Sequence, residues 1–98
     1  MSKRVILVDD SKTILATAEM ALEEMISKNL IEFATYLNPA ELLEGLLSGR
    51  ENYDLLISDI NMAQMSGLDL SEALKANDAF KNKPILILTT ESLFTSRM

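Results

Sequence analysis

The sequence predicts an α/β domain, a parallel sheet with helices on both faces. Three observations predict it. Short apolar runs recur at Val5–Val8, at Tyr53–Asp59 and within "PILILTT" from Pro84. They show little polar alternation, as strands buried on both faces do. Stretches with apolar residues at helical spacing separate these runs, and the order βαβαβαβ is that of strands joined by right-handed crossovers.

The first strand is Val5–Val8, ended by Asp9, Asp10 and Ser11. Ile14, Leu15, Ala18, Ala21, Leu22, Met25 and Ile26 then fall at helical spacing, which predicts one helix from Lys12 to about Lys28. Asp10 or Ser11 suits its N-cap. Ile31–Leu37 alternates by two and predicts a second, less buried strand. "NPAE" opens the next helix: Asn38 caps, Pro39 takes the first helical position, and Glu41 sits where a capping-box acid belongs. Leu42, Leu43, Leu46 and Leu47 supply its apolar stripe, and Gly49 ends it. Tyr53–Asp59 is the third strand. Gly67 breaks the following loop, and Leu68 to about Ala76 forms a short helix. Met62 and Met65 read as packing residues. Pro84 opens a fourth buried strand.

With 98 residues, the chain makes one domain, 1–98. Its net charge of −6 argues against nucleic-acid binding and against contact with anionic lipid. It contains no Cys and no His, which excludes Cys/His zinc sites, disulfides, Cys nucleophiles and Ser-His pairs. Only four apolar residues follow the basic start before two acids. No secretory signal fits there, no run reaches membrane-spanning length, and a cytoplasmic chain is expected.

In parallel α/β sheets, ligands bind at the carboxyl ends of the strands. Asp9 and Asp10 end the first strand and Asp59 ends the third. If those strands are neighbours, three like charges meet and a cation is needed to neutralise them. An all-oxygen donor set points to Mg²⁺, with Mn²⁺ able to substitute. The fourth strand ends in Thr89 and Thr90, which places a hydroxyl at the same edge. Acids, a divalent ion and a hydroxyl suit phosphoryl transfer onto a carboxylate.

"ILVDDS" at Ile6–Ser11, "DINM" at Asp59–Met62, Gly67 and "ILTTES" at Ile87–Ser92 resemble the receiver domain of bacterial response regulators, especially the single-domain chemotaxis regulators. The resemblance implies a flavodoxin-like doubly wound sheet of strand order 2-1-3-4. It implies that Asp59 accepts a phosphoryl group from a histidine kinase. Asp10 and Asp59 would ligate Mg²⁺ through carboxylates and Asn61 through its backbone carbonyl, with Asp9 holding the metal's waters. Thr89 would bind the phosphoryl group as the switch hydroxyl. Asn61 and Glu91 would tune hydrolysis. Such a protein catalyses only its own phosphorylation and dephosphorylation, and passes the signal to an output protein that the sequence does not identify.

Two departures stand out. Ala63 occupies a position where receivers usually carry Pro. The sequence also stops at Met98, so the expected fold lacks the fifth strand and fifth helix, with the family's Lys and switch aromatic. A fourth strand left at the sheet edge predicts dimerisation or exchange of elements between chains. That motivates an alternative function, a truncated receiver acting as an interaction or self-association module with impaired phosphorylation. Other readings fail on particular residues. A calcium loop would need different residues at Ala63, Gln64 and Leu70. An aspartate-nucleophile phosphatase would need a second Asp two residues after Asp10, where Lys12 stands. A flavin phosphate would be repelled by "DDSKT".

Overall fold

The computed structural model describes residues 2–88. Thr89, Thr90 and Glu91, singled out above, lie outside the described residues. Four strands form one parallel sheet in the order β2-β1-β3-β4: β1 Lys3–Val8, β2 Ile31–Tyr36, β3 Leu55–Asp59 and β4 Ile85–Leu88. This is the expected flavodoxin-like doubly wound arrangement. The helices are α1 Lys12–Ala21, α2 Glu23–Ser27, α3 Pro39–Ser48 and α4 Gly67–Lys75.

Strand β1 sits between two partners, so both of its faces must be covered. Ile6 and Val8 are fully buried on one face, where Leu56 of β3 joins them. Leu42 and Leu46 of α3, Leu70 and Leu74 of α4, and Tyr53 and Phe80 complete that core. Met62 and Met65 pack against its edge, as expected. Val5 and Leu7 point to the opposite face and are buried outside this cluster, as is Leu15 of α1. The second layer therefore belongs to α1 and α2.

The helix ends follow the residues expected to make them. Ser11 caps α1, its Oγ accepting from the Ile14 amide at 3.3 Å. Asn38 caps α3, its Oδ1 accepting from the Ala40 amide at 2.9 Å, and Pro39 opens the first turn. Gly49 closes α3 at φ +86°, a left-handed conformation that costs glycine little. The start of α4 differs from the expected Leu68: Ser66, not among the expected caps, accepts from the Asp69 amide at 3.0 Å and Gly67 is already helical.

Three expectations need correction. The single helix over Lys12–Lys28 is interrupted at Leu22, and α2 ends before Asn29, which takes a left-handed φ of +60°. No Gly or Pro marks the break at Leu22, and nothing in the local sequence explains it. The inward face of this segment runs through Leu15, Ala18, Leu22 and Ile26, which leaves Ile14 and Met25 exposed. An apolar stripe wider than the layer beneath it cannot all be buried. Leu47 of α3 is exposed for the same reason. Finally, β4 is not buried on both faces. Leu86 and Leu88 are 49% and 47% exposed, and among the described residues β4 pairs with β3 alone.

Near the amino ends of β1 and β3 lies a polar network, which the Tyr36 side chain reaches from the carboxyl end of β2. The Arg4 guanidinium donates to both carboxylate oxygens of Glu51, at 2.8 and 3.0 Å, and the Tyr36 hydroxyl donates to Glu51 at 2.6 Å. The Asn52 amide adds a fourth donor at 2.9 Å. Burial pushes the Glu51 carboxyl upward, but these donors together outweigh it and hold the pKa at about 2.

Candidate functional site

At the opposite end of the sheet, strand register brings the predicted acids together. β1 and β3 pair directly, with Val8 opposite Ser58. Asp9 and Asp10 therefore follow β1 beside the point where Asp59 ends β3. One carboxylate oxygen from each of the three lies within 4.8 Å of the other two. Asp9 is only 7% exposed. Asp59 is partly buried and Asp10 is exposed, so the cluster runs from the protein interior to its surface.

The cluster is electrostatically unfinished. Burial raises the Asp9 pKa above the ordinary carboxylate range, and the charges of Asp59 and Asp10 raise it further. The Ser11 amide donates to Asp9 Oδ1 at 2.9 Å and opposes the rise without cancelling it. The described protein places no cationic side chain on any of the three, in contrast to Glu51.

The donor set fits a hard divalent ion. Mg²⁺ holds oxygens at about 2.1 Å, so its neighbouring ligands lie roughly 3–4 Å apart. Carboxylate oxygens spread over no more than 4.8 Å need little movement to reach that spacing. A cation would also relieve the repulsion that raises Asp9.

The backbone around Asp59 is fixed by contacts that sequence reasoning missed. Ser58 is fully buried, and its Oγ donates to the Asp59 carbonyl at 2.9 Å. The Ile60 amide donates to the Leu88 carbonyl at 3.1 Å, and the Gly67 amide to the Ile60 carbonyl at 2.8 Å. Gly67 is the first residue of α4 and not merely a loop breaker. A Cβ on it would stand 2.5 Å from the Asp59 carbonyl oxygen and 3.1 Å from Ser58 Oγ. Glycine is required here for close approach. The sequence signals were an isolated Gly near the acid and a small polar residue just before it, but neither reveals its contact.

Asn61 lies exposed in the loop after Asp59. Ala63 is also exposed, and its amide donates to Asp10 Oδ2 at 3.0 Å. Leu88, the last described residue of β4, is the register partner of Asp59. Of the predicted site residues, the structure thus brings together Asp9, Asp10 and Asp59, with Asn61 in the adjoining loop. Thr89 and Glu91 fall outside the described residues.

Comparison with known proteins agrees with this geometry. Residues 5–96 match the response regulator receiver domain family. The chain is 34% identical to the chemotaxis protein CheY of Pseudomonas aeruginosa, over 91% of this chain and 68% of that protein. It is 31% identical to the chemotaxis protein CheY1 of Helicobacter pylori, over 90% and 68% of the two chains. Among solved structures, the chemotaxis response regulator CheY4 of Vibrio cholerae superposes with a TM-score of 0.72 at 26% identity, covering 98% of this chain and 77% of that one. No helix among the described residues is long and apolar enough to cross a membrane. Matching almost throughout its length, with its acids where parallel strands end, the chain belongs to the response regulator receiver domains.

Proposed function

We propose that this chain is a phosphorylatable switch in which Asp59 takes a phosphoryl group from a histidine kinase with Mg²⁺. The observation that carries the reading is the convergence of Asp9, Asp10 and Asp59 within 4.8 Å at adjacent strand ends. A carboxylate oxygen of Asp59 forms the new bond to phosphorus as the bond to the donor's imidazole nitrogen breaks, and that nitrogen keeps the electron pair. The kinase supplies the histidine that this chain lacks. Bound Mg²⁺ would neutralise charge on the transferring phosphoryl oxygens. Asp10 and Asp59 would hold it by carboxylates, Asn61 by its carbonyl and Asp9 through its waters.

Thr89 directly follows Leu88, the register partner of Asp59, and this supports its assignment as the switch hydroxyl. Asn61 and Glu91, two residues after Asp59 and Thr89, are assigned to tuning hydrolysis. The chain turns over nothing but its own phosphoryl group. Similarity to chemotaxis proteins supports a chemotactic, cytoplasmic role upstream of an output protein.

The test is intact mass before and after acetyl phosphate with Mg²⁺, with Asp59→Asn as control. A gain of one phosphoryl group in the natural chain alone is expected. A folded chain that gains nothing would favour a second reading, an interaction module. The half-exposed Leu86 and Leu88 of β4, which among the described residues pairs with β3 alone, are the observation behind that reading, since apolar strands open to solvent pair with other chains. It predicts association that rises with concentration in sedimentation.

A further inference from the structure

The loop between Asp59 and α4 is tied down at both ends by backbone hydrogen bonds, Ile60 to Leu88 and Gly67 to Ile60. Between those ties, the Ala63 amide reaches across to Asp10 Oδ2 at 3.0 Å, joining positions 53 apart in the sequence. An amide donating to an ionised carboxylate makes a charge-assisted bond, stronger than a neutral one. Asp10 is exposed, and among the described residues its side chain accepts no other hydrogen bond. Without the Ala63 amide its carboxylate would be free to rotate into solvent. A carboxylate has about four acceptor positions on two oxygens, so this bond leaves the second oxygen available to a cation. Proline has no amide hydrogen and could not make the contact. Alanine at this position is therefore a gain of a donor beside the acids.

We propose that the Ala63 backbone amide is a positioning donor for the divalent-cation site, holding Asp10 turned toward Asp9 and Asp59 and coupling the loop to cation binding. The proposal rests on the metal reading given above. Hydrogen bonds that orient a ligating carboxylate commonly change metal affinity by roughly tenfold or more when removed. Coupling is reciprocal: if the amide favours the cation, the cation favours the amide's bond.

Two measurements test this on the whole chain. Calorimetric titration with MgCl₂ compares the natural chain with Ala63→Pro and Ala63→Gly. The proline variant should bind Mg²⁺ roughly tenfold more weakly, while the glycine variant, which keeps the amide, stays within about twofold. Amide hydrogen exchange at Ala63, followed by NMR, should slow when MgCl₂ is added. Equal affinities, tighter binding by the proline variant, or faster exchange at Ala63 with Mg²⁺ would each overturn the proposal. The exchange experiment decides alone if the proline variant does not fold. A natural chain that binds no Mg²⁺ overturns the metal reading together with this inference. A natural chain that binds while the proline variant matches it overturns this inference only.

Discussion

The two ends of the sheet each hold a carboxylate largely shielded from solvent, and the two behave in opposite ways. Glu51, near the amino ends, is held down at a pKa of about 2 by Arg4, Tyr36 and the Asn52 amide. Asp9, at the carboxyl ends, is raised by burial and by two neighbouring acids. One chemical group at similar depth serves stability where its partners are supplied within the fold. At the carboxyl ends the charge is left for a partner from outside, which under the proposed function is a cation. An unmatched carboxylate is costly to a metal-free protein, and that cost is recovered when a cation binds.

The largest test of this contrast is Glu51→Ala. It removes the acceptor shared by the Arg4 guanidinium and the Tyr36 hydroxyl, leaving Arg4 only the Asn52 carbonyl and the exposed Glu32, and should lower unfolding stability by about 2 kcal/mol, read in urea melts. The same network sets an acid response. Because the folded-state pKa lies below the ordinary value of 4.5, the stability contributed by Glu51 is fully present above pH 4.5. It is lost as the pH falls toward about 2. Allowing for solvent screening, the loss is about 2 kcal/mol. Glu51→Gln should flatten that part of the curve, and an unchanged curve would break the comparison.

Gly67→Ala comes next. A Cβ at 2.5 Å from the Asp59 carbonyl oxygen must push backbone aside, at a cost of about 2 kcal/mol. It should also slow labelling by acetyl phosphate, because the displaced peptide is that of Asp59, the proposed phosphoacceptor. Asp9→Asn sharpens the contrast from the other side. A raised pKa means that ionised Asp9 opposes folding above the ordinary carboxylate range. The variant should therefore be more stable at neutral pH without metal, yet gain less than the natural chain from added MgCl₂. The smallest effect belongs to a charge pair with no burial. Lys28 and Glu24 meet at 3.1 Å with both side chains mostly exposed, and Lys28→Ala should change the melting midpoint by less than the equivalent of about 0.5 kcal/mol.

Much of the fold was legible because it rests on local chemistry. The β1 run, the Asn38–Pro39 start, the Gly49 stop and the grouping of Asp9, Asp10 and Asp59 follow from residue type and chain order. What escaped depends on contacts between distant residues. The exposure of Ile14 and Met25 is set by how wide a face the sheet offers. The clamping of Glu51 needs Arg4, Tyr36 and Asn52 to converge. The Ser58–Asp59–Gly67 contact and the Ala63 bond to Asp10 are meetings of backbone with a partner, and backbone geometry leaves little trace in side-chain identity.

The close approach of Gly67 to Asp59 has a consequence for chain length. Surface loops ordinarily tolerate insertions and deletions because nothing measures their span. Here the Ile60 carbonyl accepts the Gly67 amide at 2.8 Å, while the glycine's missing Cβ lets α4 seat on the peptide of Asp59. The segment between them is thus gauged at both ends. The number of residues between the two ties is therefore constrained, and an insertion or deletion within 61–66 should unseat α4 from Asp59.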